Sequence, residues 1–429
     1  MTLQAALVDA AREHPNHPWI CCDDEVWTYA EGDRITDRLA RGLIGAGVAP
    51  GDRVALLFEN SPELVIAYYA CFKIGAIAAP LNTRFQGPEL VYALTHCDAK
   101  LLIGQDHLCA AVLARRAEIP RLAAVYVTGQ ASPEDGARAF AALLGDNGDA
   151  PPLPSVDGGQ VAIVMYTSGT TAKPKGVIHT HAGLLAQARN FFDALGEAVF
   201  ERTVISVPLC HISGFGALML PTTQAAGTQW IIRRFDPERV LRTLQHSRAT
   251  YSGGLPVQIN MLVNCPGAET FDLSALKLYI CGGDCVPAEL QNRFQTLFGV
   301  PLDEICGMTE IYYAIQPLAA GERRPGSIGK PMGDVRIVLE DETGAAVPDG
   351  AVGEIVAYSA GATPGYWNDP QSTAATLRDG GLHTGDLGPA RLGRLLLVRG
   401  AQQGHHHPRR LQHRPGRGGG CTLRPSRGL

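Results

Sequence analysis

Long apolar runs are missing from this sequence. The longest, Val65 to Leu81, is broken by Lys73 and falls short of the roughly 20 residues that a membrane span requires. The opening stretch, MTLQAALVDAAREHPNHP, has neither a basic leader nor a continuous apolar segment, so no secretory signal is expected. The 11 cysteines are odd in number and follow no repeated spacing, which excludes a disulfide framework and suggests buried thiols in a reducing cytoplasm. Collagen and coiled-coil periods are absent. Disorder is excluded as well, because 45% of the residues are apolar and 18% charged, with a net charge of only −5. What remains is a globular chain of 429 residues, roughly two to three domains' worth, with ample apolar material for a core.

Acidic residues are missing from one end. Arg399 to Leu429 holds seven Arg, seven Gly and three Pro with no Asp or Glu, so the preceding residues carry 30 basic against 42 acidic side chains. Such a stretch ordinarily reads as a nucleic-acid-binding arm.

The first 150 or so residues alternate helical and strand patterns. Ile35 to Leu43 reads as helix and Arg53 to Phe58 as a buried strand; Asn60 and Ser61 cap a helix from Pro62 to about Gly75. Strands separated by helices of this length predict βαβ units and a mostly parallel sheet. Residues 145–160 read as a linker or surface loop, and the same rhythm resumes from Val161 to about Ile305. Beyond Gly326 the alternation in RIVLEDETGAAVPDGAVGEIVAY suits a small antiparallel sheet or barrel.

The strongest local signal is VAIVMYTSGTTAKPKG, Val161 to Gly176. An apolar strand feeds Thr167, Ser168, Gly169, Thr170 and Thr171, then Lys173, Pro174, Lys175 and Gly176. Small residues let backbone N–H groups face an anion, hydroxyls add donors, and lysine supplies charge for a polyphosphate. It is not a Walker A loop, and a plain Ser/Thr-rich hairpin turn is the alternative. The strand GVIHT and a helix from about His181, capped by Thr180 and stopped at Gly196, follow.

TSGTTAKPKG, CGMTE and LHTGD, in this order, resemble the adenylate-forming (AMP-binding) superfamily of acyl- and aryl-CoA synthetases, luciferases and peptide-synthetase adenylation domains. The resemblance covers essentially residues 1–398 and extends to WTYAE, GDRVALLFENSPE, KIGAIAAPLNTRF, PLCHISG, GSIGKPM, GEI and GYWNDP. It implies that Thr167 to Thr171 and Lys175 hold the β- and γ-phosphates of ATP. Thr309 then offers a hydroxyl to the α-phosphate and Glu310 a hard oxygen to Mg²⁺. Cys306, Gly307 and Met308 line the same nucleotide site. Gly282, Gly283 and Asp284 would lie along the adenine, and Asp386 would accept hydrogen bonds from both ribose hydroxyls. His211 would stand between the acyl pocket and the nucleotide, with Phe215, Gly216, Gly253 and Gly254 as walls; a structural histidine in a packed core is the alternative. Cys281 and Cys285 lack the further ligands of a metal site, and His179 and His181 read as strand and cap residues. One departure stands out. The family usually has a tyrosine stacked on adenine where Cys306 stands, a loss of roughly 0.5–1.5 kcal/mol unless Tyr312 or Tyr313 compensates.

The resemblance also implies a hinge arginine, aligned with Ala401, and a C-terminal domain with a catalytic lysine. Neither is recognisable from Ala401 onward. Back-translated with permitted codons and read one base later, Ala401 to Gly428 can spell RNKVIITRGGFNIAPAEVEAALCAHPAV, which resembles the opening of that domain. The expectation is therefore a frameshifted, disordered 399–429 rather than a functional basic arm or the metal tract that HHH at 405–407 suggests.

The expected architecture is α/β: two βαβ-type subdomains and a small β-rich, barrel-like subdomain near 320–398, all within a 1–398 adenylation domain, with the mobile C-terminal domain missing. The expected activity of the complete enzyme is ATP- and Mg²⁺-dependent conversion of a hydrophobic, fatty-acid-like carboxylic acid to its acyl-adenylate and then, with coenzyme A as co-substrate, to acyl-CoA. This chain is expected to be impaired. The alternatives are an aryl-acid–CoA ligase and a non-catalytic nucleotide-binding remnant; no nucleic-acid partner is expected. Limited proteolysis is expected to trim the chain near residues 395–400 and spare what precedes them. Rapid cleavage spread through 160–390 would contradict the compact 1–398 unit.

Overall fold

The computed structural model describes residues 1–131, 134, 136–145, 152–167, 173–284, 286–315, 327–348, 350–389 and 396–397. The loop residues Ser168 to Thr171, together with Cys285 and the out-of-frame reading of 399–429, lie outside the described residues.

Local chemistry sets the helix boundaries. Thr28 and Glu31 form a reciprocal capping box at the start of helix Tyr29–Gly45. Ser61 Oγ accepts the Leu64 N–H at the start of helix Pro62–Lys73, where Pro62 occupies a first-turn position that needs no N–H donor. Every residue of that helix except Glu63 is buried, Lys73 included. Burying an ammonium is tolerated here because Lys73 Nζ lies 2.5 Å from both Asp33 Oδ1 and Asp37 Oδ1. The cap at Thr180 forms as the sequence suggests, its hydroxyl accepting from Gly183 N–H before helix His181–Leu195.

Two large sheets organise the chain. One has seven strands, with Arg53–Leu57, Ile77–Pro80 and Val161–Thr167 as parallel neighbours, closed on one side by the antiparallel strand Lys175–Thr180. The other has ten. Its parallel centre runs through Thr228–Ile231, Arg202–Ile205, Tyr251–Gly254, Leu278–Cys281 and Leu302–Met308, then turns antiparallel at Ile311–Ile315 and Ser327–Pro331. A separate four-stranded antiparallel sheet joins Arg336–Glu340, Val352–Tyr358, Gly381–Pro389 and Leu377–Arg378. The parallel centres are buried on both faces, which matches their continuous apolar runs. No helix among the described residues is long and apolar enough to cross a membrane.

The largest apolar cluster binds the sheets together through helices such as Pro62–Lys73, and Trp19 is one of its fully buried side chains. A Cβ added to Gly32 would sit 2.2 Å from Trp19 Cε3, whereas nothing lies within 4 Å of one added to Gly45 at the end of the same helix. Gly32→Ala is therefore expected to lower the unfolding free energy by about 1–3 kcal/mol through overpacking. Gly45→Ala should leave stability equal or raise it by under about 1 kcal/mol. Denaturant titration checks the pair; equal stability of both variants would mean that the Trp19 ring yields freely.

Candidate active site

Two β-hairpins from the two large sheets face each other. In the first, Val161–Thr167 pairs with Lys175–Thr180 and places Thr167 opposite Lys175 at its end. The second, Leu302–Met308 with Ile311–Ile315, turns at Thr309 and Glu310. They are joined by a hydrogen bond from His179 Nε2–H to the Thr309 carbonyl, 2.7 Å long. Gln187 sits behind this imidazole, its side-chain amide 3.5 Å from His179 Nδ1 and donating to Gly361 O at 2.7 Å. The sequence marked His179 only as a strand residue. Its function in the architecture depends on a partner 130 positions away, which no local pattern reveals.

Glu310 is 5% exposed and is held by the segment after the hairpin. Tyr366 O–H donates to Glu310 Oε1 at 2.7 Å, and Thr363 N–H to the Glu310 carbonyl at 2.8 Å. Lys175 Nζ lies 4.9 Å from the centre of the same Tyr366 ring, a cation–π contact. Burial raises the Glu310 carboxyl above its ordinary range, opposed by the Tyr366 hydrogen bond and by the charge of Lys175. Lys175, Tyr366 and Glu310 are thus brought together, and Tyr366 enters the site although the sequence pointed to its segment only by family likeness. Glu310 Oε2 and the Thr309 hydroxyl make no hydrogen bond among the described residues, a hard-oxygen pair that suits Mg²⁺ beside a polyphosphate.

Asp386 follows a turn that its neighbours fix. Gly385 adopts a left-handed backbone (φ 76°), and its N–H donates to Glu354 Oε1 at 3.1 Å. Asp386 N–H donates to Thr384 Oγ1. The carboxylate accepts Tyr313 O–H at 2.9 Å, and Cys306 Sγ lies 2.9 Å from that phenol oxygen. Burial raises the Asp386 carboxyl, opposed by the Tyr313 hydrogen bond and reinforced by the charge of Glu354.

Beside the turn of the second hairpin lies a cavity of about 210 Å³ with no charged residue among the described residues of its lining. Ser213, Gly253, Gly254, Gly282, Gly283, Gly307, Met308, Thr309 and Tyr312 contribute to its walls. A Cβ on Gly282 would meet Ile305 O at 2.7 Å, so the backbone after Leu278–Cys281 runs against the neighbouring strand. Gly283 and Asp284 are exposed. His211 is half-buried and is absent from the cavity lining, although Ile212 and Ser213 beside it are present; burial lowers its basicity, and Arg84 lowers it further. Phe215 packs in the core against Tyr68, with ring centres 5.0 Å apart.

The family model for AMP-binding enzymes matches residues 7–367. The chain belongs to the AMP-binding enzyme family. Among similar proteins, this AMP-binding enzyme is 35% identical over 382 residues to a feruloyl-CoA synthase of Amycolatopsis sp, covering 89% of this chain and 74% of that protein. It is 34% identical over 367 residues to an indoleacetate–CoA ligase of Aromatoleum aromaticum, covering 84% and 71%. A long-chain-fatty-acid–CoA ligase of Mycobacterium tuberculosis is 28% identical over 366 residues, covering 84% and 70%. The solved anthranilate CoA ligase in complex with anthranoyl-AMP shares the fold, with a TM-score of 0.87 at 24% identity over 93% of this chain and 77% of that one. The AMP-binding enzyme's homologues are acid–CoA ligases, so by family it is an acid–thiol ligase, with the mixed α/β architecture that its motifs implied.

Burial holds neutral both His179, in the first hairpin, and His181, at the start of the helix that follows it, pushing each down to about 4. Unfolded imidazoles protonate near 6.5, so below that pH the unfolded state binds protons that the folded state refuses. Stability should therefore fall as pH drops from about 6.5 towards 4, by about 2 kcal/mol per imidazole at pH 5. Denaturant midpoints at pH 7 and pH 5 test this. His179→Gln, which keeps a donor for Thr309, should shrink the difference, and an unchanged difference would sink the claim of a neutral buried His179.

Proposed function

We propose that this chain binds ATP across the two hairpins and activates a hydrophobic carboxylic acid as its acyl-adenylate, for transfer to coenzyme A. The observation that carries the reading is the uncharged cavity whose wall includes Thr309, directly preceding Glu310. An apolar acid seated there would bring its carboxylate to the hydroxyl of Thr309. Lys175 and the loop beginning at Thr167 would take the β- and γ-phosphates, and Asp386 the ribose. Gly282, Gly283 and Asp284 would follow the adenine, with Cys306, Gly307 and Met308 across from them, and His211 would stand at the cavity's rim.

In the first half-reaction the carboxylate oxygen bonds to the α-phosphorus as the bond to pyrophosphate breaks. In the second the thiolate of coenzyme A bonds to the acyl carbon and AMP leaves. Mg²⁺, when bound through Glu310 and phosphate oxygens, supplies neutralisation of phosphate charge. The chain's own residues position: Tyr366 fixes one Glu310 oxygen, and His179 fixes the Thr309 main chain. Buried free thiols support a reducing, cytoplasmic setting.

Aryl acids are the second reading. They are favoured by the Tyr312 ring in the cavity wall and by the higher identity to the feruloyl- and indoleacetate-activating relatives than to the fatty-acid ligase. ATP–pyrophosphate exchange with arylpropenoic, arylacetic and C8–C16 alkyl acids is expected to show acid-dependent exchange. Nucleotide binding without exchange for any acid would favour a non-catalytic remnant. In calorimetry Asp386→Ala should weaken ATP binding by about 2–4 kcal/mol, two bonds to a charged acceptor. Equal affinity of variant and parent would remove Asp386 from the site.

A further inference from the structure

Tyr312 and Tyr313 are consecutive on the strand Ile311–Ile315, so their side chains leave it on opposite faces. Tyr312 lines the cavity. Tyr313, 1% exposed, turns the other way and brings its hydroxyl to 2.9 Å from Asp386 Oδ2 and 2.9 Å from Cys306 Sγ. A phenol carries one proton, and an ionised carboxylate carries none. The phenol proton is therefore directed at Asp386 and the thiol proton at the phenol oxygen, which gives a chain of donors from Cys306 through Tyr313 to Asp386. The cysteine keeps its proton because burial pushes its thiol up to about 12.

The terminal torsion of an aspartate is soft, so a carboxylate without a fixed oxygen swings. Here one oxygen is tied to Tyr313 while the main chain is tied through Thr384 Oγ1. Asp386 Oδ1 makes no hydrogen bond among the described residues, which leaves one fixed oxygen and one open one.

We propose that Tyr313 is a positioning residue for the nucleotide: by holding Asp386 Oδ2 it fixes the carboxylate plane and aims Oδ1, with its two lone pairs, at the ribose hydroxyls, with Cys306 as the outer link. This inference rests on the reading of Asp386 as the ribose acceptor. It assigns a role to the cysteine that stands where the family resemblance leads one to expect a tyrosine. The link is a hydrogen bond behind the carboxylate, not a replacement ring beneath the base.

Calorimetry on the full chain with AMP, 2′-deoxy-AMP and 3′-deoxy-AMP tests it, because a merely structural role would affect all three alike. The parent protein is expected to prefer AMP over at least one deoxy analogue by about tenfold, the worth of one bond to a charged acceptor. In Tyr313→Phe the AMP affinity should fall by about tenfold and that of the disfavoured analogue by less than about twofold, so that the ratio collapses. Cys306→Ala, which trims only the outer link, should lower the ratio in the same direction, and it carries the test if Tyr313→Phe does not fold. An unchanged ratio in these variants, with the ratio lost in Asp386→Asn, overturns the role of Tyr313 alone. A ratio unchanged in Asp386→Asn as well overturns the ribose reading of Asp386 and this inference with it.

Discussion

A hydrogen bond from the buried His179 imidazole to the Thr309 carbonyl ties the hairpin of the seven-stranded sheet to that of the ten-stranded sheet. The imidazole end lies out of reach of solvent, so breaking the contact would strand a buried donor without a partner. Everything proposed for the nucleotide depends on this closeness. Thr167 and Lys175 belong to one hairpin, Thr309 and Glu310 to the other, and a polyphosphate can be shared only while their mutual distance is fixed. Gln187 extends the tie to Gly361, and Thr363 returns it to the Glu310 main chain, so the segment that carries Tyr366 is anchored to both sides.

The two carboxylates of the site, buried Glu310 and half-buried Asp386, are treated alike. Each receives a tyrosine hydroxyl, Tyr366 for Glu310 and Tyr313 for Asp386. Neither is neutralised by a direct ion pair among the described residues; Lys175 approaches Glu310 across the Tyr366 ring. A neutral donor orients a carboxylate without cancelling its charge, and that charge is what the proposed cation or sugar hydroxyl would meet. The cost is desolvation, visible in the upward shift of both groups.

Much of this was legible in the sequence, for physical reasons that differ by feature. Strands and helices announced themselves through apolar period and caps: Ser61 and Thr180 cap where their residue types require. The helix read as Ile35 to Leu43 extends to Tyr29–Gly45 because the Thr28–Glu31 capping box lies a turn and a half earlier than the apolar face suggested. The family motifs carried Thr309, Glu310 and Asp386 together in one reading, since their order along the chain is specific. His179, Gln187, Tyr313 and Tyr366 escaped it. Each has a partner far along the chain, and a single polar residue carries no period to detect. His211 illustrates the opposite case, because the motif marks the residue while the cavity wall is built by Ile212 and Ser213 next to it.

The alternation of Tyr312 and Tyr313 on one short strand has an evolutionary consequence. The face proposed to shape the acid cavity and the face proposed to position the nucleotide are separated by a single peptide unit, and their side chains leave the strand in opposite directions. On the proposed reading, a substitution at 312 would widen or narrow the range of acids while leaving the grip on ATP intact. Drift at 306 and 313 would, on the same reading, remodel the nucleotide side without touching acid preference. Such a strand lets a lineage explore new substrates in small steps, each preserving the half of the reaction that all of those substrates share.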